Sequence, residues 1–101
     1  MANPDFPMQK ADLQPINVSA VFAGFETPQY PRRITPRMIH LRNGDTYSVA
    51  AIRRQYADRV GDALHIHFVL KTTDNRFLDI VYDSKKLIWF LVVELLDGLP
   101  D

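Results

Sequence analysis

The sequence predicts an all-β domain, a small antiparallel six-stranded barrel or roll with at most a short helical turn near residues 50–60. Apolar and polar residues alternate at a period of two in several short runs, and compact Asn, Asp and Gly turns join those runs. The chain is also only 101 residues long, enough for one core and no second domain. Rolling the sheet closed removes the edges that a flat meander exposes.

Residues 1–15 contain Pro4, Pro7 and Pro15 and no sustained period. They read as a flexible N-terminal segment ahead of a single domain over 16–101. The first strand carries Ile16, Val18, Ala20 and Phe22 on one face. Gly24, Pro28 and Pro31 interrupt any ladder, so residues 24–31 form a loop.

The next two strands meet at residues 42–44. A two-residue turn divides the apolar residues between faces, whereas a three-residue loop aligns Ile39, Leu41, Tyr47 and Val49. That register requires Gly44 in the left-handed region. Beyond Val49 the pattern is ambiguous, because Val49, Ile52, Tyr56 and Val60 also stand at helical spacing. A strand to about Arg53 followed by a short helical or irregular turn accommodates both.

Leu64, Ile66, Phe68 and Leu70 form the cleanest alternation. A second odd loop through Asn75 pairs them with Tyr82, Ile80 and Leu78, leaving Asp79 outside beside Val69. Residues 83–86 make the last turn. The final strand, 87–93, is apolar on both faces, with Leu87, Trp89, Leu91 and Val93 on one and Ile88, Phe90 and Val92 on the other. Such a strand either closes the barrel beneath another segment or meets a second subunit.

Net charge is zero, with 12 basic and 12 acidic residues. The whole chain therefore lacks the field typical of nonspecific nucleic-acid binding. Residues 32–59 nevertheless hold seven arginines against two aspartates, whereas 60–101 hold four basic and seven acidic residues. The absence of cysteine excludes disulfides and thiol chemistry and fits a cytoplasmic setting. The N-terminus lacks the pattern of a secretory signal, and the longest apolar run is about half the ~20 residues of a membrane-spanning helix, so no membrane role is expected.

The order Val18-x-Ala20-x-Phe22, a Pro-rich link, Gly44-Asp-Thr-Tyr-Ser-Val49, Arg53-Arg54, a glycine, a hydrophobic strand and Trp89-Phe90 resembles small bacterial single-domain proteins of β-barrel type. The resemblance spans about four fifths of the chain. It implies a compact β fold and no particular activity.

Three constellations carry chemical expectations. His65 and His67, two apart on one strand face and next to Asp79, have the spacing of a metal-chelating pair. Polar residues on a half-exposed strand are the more economical reading of the same pattern. Arg32, Arg33, Arg37, Arg53 and Arg54 with Tyr56 can hold phosphates and stack bases, although arginine stems covering apolar surface are the more economical reading. Ile88, Trp89, Phe90 and Val92 are the candidates for a partner or self-association surface.

No serine lies in a nucleophile elbow, the carboxylates fall mostly at turns, and no glycine-rich phosphate loop is present. The expectation is a non-enzymatic binding or assembly module without a cofactor. Its partner is another protein or a second copy, with a nucleic-acid-binding barrel as the alternative and a metal site at His65 and His67 as a second alternative.

Overall fold

The computed structural model describes residues 13–95. Six strands follow in chain order: β1 (Gln14–Phe22), β2 (Ile34–His40), β3 (Thr46–Val60), β4 (Ala63–Thr72), β5 (Phe77–Asp83) and β6 (Ile88–Leu95). Each pairs antiparallel with the next, and β6 pairs with β1 through Ile16 opposite Trp89, closing the barrel. β1 begins at Gln14, two residues before the expected start, and brings Pro15 opposite Phe90. The remainder of the expected flexible segment, residues 1–12, lies outside the described residues.

Both odd-loop registers are present. Ile39 stands opposite Tyr47, and Gly44 takes φ +98° in the intervening turn. Leu70, Phe68 and Ile66 stand opposite Leu78, Ile80 and Tyr82, with Asn75 at φ +68°. A Cβ at Gly44 meets no atom within 4 Å, so substitution there is opposed by backbone conformation alone. Gly44→Ala is accordingly expected to cost about 1–2 kcal/mol in urea denaturation with an unchanged m-value.

The expected helical turn near residues 50–60 is replaced by strand. β3 runs unbroken to Val60 and contains two bulges, between Val49 and Ala51 and between Ile52 and Arg54. Each bulge adds one residue to β3 without adding one to β4. The core-facing Val49 and Ile52 thus become three residues apart while the chain remains extended, which imitates helical spacing.

Two further differences concern the last strand. Leu87 does not begin the strand, which starts at Ile88, but occupies the preceding turn at φ +59° and is 70% exposed. A bulge at Val92 shifts the ladder from Leu91–Ile80 to Val93–Asp79, so Val93 joins the outward Asp79 and is exposed.

The barrel interior is built from Ile16, Ile39, Phe68, Leu70, Leu78, Ile80 and Trp89. The Trp89 ring packs against Phe68 and Tyr82, with centroids 5.6 and 4.9 Å away. Burial continues on the outer wall of β4 and β5, where Val69, Phe77 and Val81 alternate with the inward set and are themselves buried. No helix of the described residues is long and apolar enough to cross a membrane.

Candidate functional site

The outer wall of β4 carries His65, His67 and Val69 in one row, opposite Asp58, Tyr56 and Arg54 of β3 and Asp83, Val81 and Asp79 of β5. The two histidines have different surroundings. His65 is buried, and its Nε2 lies 2.8 Å from Asp83 Oδ2. Asp83 Oδ1 accepts the backbone N–H groups of Lys85 and Lys86, each at 2.9 Å. Burial alone raises the Asp83 carboxyl, but those two N–H groups and the His65 ring outweigh it and hold the group at about 2.

His67 sits between two carboxylates without a close bond to either. Its Nε2 is 3.6 Å from Asp58 and its Nδ1 is 3.8 Å from Asp79, both beyond ordinary hydrogen-bond length. The ring stacks on Tyr56 at 4.5 Å and 3°. His67 Nδ1 and Asp79 Oδ1 are buried without hydrogen-bond partners. Burial raises the Asp79 carboxyl above its ordinary value against the opposing effect of His67, and burial likewise raises Tyr56.

A hollow of about 350 Å³ opens beside this row. Leu13, Val60, Val81 and Val92 supply its apolar lining, and Tyr56, His67 and Asp79 line it as well. His65, His67 and Asp79 do not form one ligand set. Among the described residues no group of three or more His, Asp or Glu side chains is placed to hold a metal ion. His65 is directed to Asp83 instead, an alliance across two strands that sequence spacing does not announce.

β3 forms the margin of this site. It pairs with β2 only at residues 46–48, whereas its pairing with β4 extends from Val49 to Val60. β2 bends into a bulged pairing with β1 at the same level, and Pro36 has no N–H with which to rejoin β3. Residues 53–60 are exposed throughout. The second part of β3, the arm, is therefore an exposed edge backed by β4, which β5 pairs in turn from His65 to Lys71, and no described strand pairs with that edge beyond Ser48.

The arginines are distributed rather than gathered. Arg32 and Arg37 line a groove of about 380 Å³ with Tyr30, and Arg37 Nη1 lies 3.4 Å from the Tyr30 hydroxyl. Arg33 is turned away, its Nε donating to Ala23 O at 2.7 Å. Arg53 lies over the Phe77 ring, and Arg54 over Tyr56 at 5.4 Å on the arm.

Of the four apolar interface candidates, Trp89 belongs to the interior and is 7% exposed, which removes it from any docking surface. Ile88 is exposed, Phe90 half-buried, and Val92 lines the hollow. β6 is paired with β5 along its length and with β1 at Trp89, Phe90 and Leu91, so that its edge is occupied over those three residues.

One further contact joins a serine to a histidine distant in sequence. Ser19 Oγ is 3.2 Å from His40 Nε2, because β1 and β2 bring them together across 21 residues. The other ring nitrogen is 3.5 Å from Thr46 Oγ1, where a catalytic triad places a carboxylate. Ser19 lies on an exposed stretch of strand, so the pair lacks both an orienting acid and enclosure.

The fold and this site define a small closed barrel with an exposed strand arm. Neither a family model, nor a curated protein, nor a solved structure matches the chain.

Proposed function

We propose that the protein is a non-enzymatic binding and assembly module that engages its partner along the β3 edge of the arm. The observation supporting this reading is the fifteen-residue β3, held by β2 over only its first part and exposed along its second. An extended strand with a row of unpaired N–H and C=O groups is a template for another extended segment, and main-chain hydrogen bonds supply the affinity. Exposed Tyr56 and Val60 add side-chain surface beside the adjoining hollow.

Amide hydrogen exchange tests the reading. In dilute protein, those amides of residues 54–60 that point away from β4 should exchange close to open-chain rates, while Phe68 and Leu70 remain strongly protected. Uniform protection across the arm would mean that its edge is already covered, and the reading would fail.

Tyr30, Arg32 and Arg37 support a second reading, a site for single-stranded nucleic acid, because their shared groove combines cations with an aromatic ring. Retention on immobilised single-stranded DNA should then fall steeply with salt and weaken in Arg37→Ala. No retention at low salt would remove this reading.

A further inference from the structure

We infer that the occupant of the β3 edge is a second copy of this chain, paired antiparallel with Tyr56 on the two-fold axis. The inference rests on the reading of the arm as an open edge and adds the partner and the register. Beyond the bulge at Arg53, the outer row of β3 reads Arg54, Tyr56, Asp58, opposite Val69, His67 and His65 of β4. Laid antiparallel against itself about Tyr56, this row is self-complementary. Arg54 meets Asp58 of the partner subunit, Tyr56 meets its own counterpart, and Asp58 meets Arg54 of the partner subunit.

The opposite row in that register sets Gln55 against Ala57 of the partner subunit, without a charge conflict. Arg53, which would oppose Arg59 of the partner subunit, is the bulge residue and lies over Phe77. Shifting by two residues in either direction keeps the faces aligned but separates Arg54 from its acidic counterpart. Charge therefore selects one register, as cross-strand pairs do within a sheet.

The side chains needed for this pairing are accessible. Arg54, Tyr56 and Asp58 are all exposed, and Tyr56 retains 38% of its surface. The geometry is isologous, so a single edge suffices for closure into a dimer and does not propagate into a fibre. An interface of about five residues per strand lies at the small end of specific interfaces, so association should be weak and concentration-dependent.

A charge exchange tests the pairing by sedimentation velocity across a concentration series, with hydrogen exchange measured on the same samples. Arg54→Asp and Asp58→Arg should each weaken dimerisation by about tenfold or more, because each turns both symmetric cross-strand pairs repulsive. The double variant should restore dimerisation to near the original level, and the arm amides should gain protection as dimer forms. A wild-type chain that stays monomeric at high concentration with rapidly exchanging arm amides would overturn self-pairing while leaving the open edge intact. Arm amides protected even in dilute monomer would overturn both the pairing and the reading beneath it. A dimer indifferent to all three substitutions would place the interface elsewhere and overturn the inference.

Discussion

Trp89→Ala is expected to destabilise the protein by about 3–5 kcal/mol, a large fraction of the ~5–15 kcal/mol available to a domain of this size. Trp89 stands at the strand pairing that closes the barrel, opposite Ile16 on one side and Tyr82 on the other. Its ring packs between interior aromatics, so truncation leaves a cavity whose walls belong to three different strands. Urea denaturation followed by far-ultraviolet circular dichroism measures the loss. A cost below about 1 kcal/mol would contradict the core assignment. Trp89→Lys should unfold the domain outright, since an ammonium at the same position has no described partner and little access to water.

Asp83→Ala is expected to cost about 3–5 kcal/mol, comparable to Trp89→Ala but for a different reason. Its carboxylate accepts from the last turn and faces the buried His65, so removal leaves two backbone N–H groups and an imidazole with one partner fewer. The pH dependence distinguishes this loss from lost packing. The folded-state value of about 2 lies below the ordinary 3.8. The carboxylate therefore contributes its full stabilisation above roughly pH 5, and the contribution disappears as pH falls through about 2. Thermal melts between pH 6 and pH 2 should show a shallower acid loss in Asp83→Ala than in the parent protein. Parallel pH profiles would indicate that the carboxylate is not the stabilising group.

The contrast with Asp79 follows from hydrogen bonding. Both carboxylates point out from β5 toward a histidine, and burial opposes ionisation of each. Asp83 lies at the strand end, where backbone N–H groups of the turn reach it. Asp79 lies in mid-strand, where the backbone donors are used by the ladder, and one of its oxygens is left without a partner. Position along the strand thus separates a structural pair from an unsatisfied one.

Much of the fold was legible in the sequence because its strongest signals are local. Gly44 and Asn75 each require a left-handed residue in an odd loop, and the alternation around Phe68 and Ile80 permits one register. The β3 bulges were not legible. An inserted residue resets the period of two and sets the inward Val49 and Ile52 three apart, while Tyr56 and Val60, which complete the helical spacing, face outward beyond the second bulge. The bulge at Val92 concealed the outward turn of Val93 for the same reason.

The candidate site was only partly legible. His65, His67 and Asp79 were identifiable as neighbours, but the partition of the histidines between Asp83 and the Asp58–Asp79 pair depends on three strands meeting. Ser19 and His40 were likewise separated by sequence and joined by register. The arginines were visible as a cluster along the chain, yet alternation and bulging distribute them to different surroundings.

Composition, turn residues and alternation by themselves determined that this chain forms a small all-β barrel or roll, with Phe68, Leu70, Leu78 and Ile80 inside. Only tertiary structure decided that Trp89 completes the core, that His65 pairs with Asp83 and that β3 projects an edge. The physical reason is that turn conformation and inward alternation are properties of adjacent residues. Burial of the outer wall, partner choice and edge exposure depend instead on which distant strands arrive beside them.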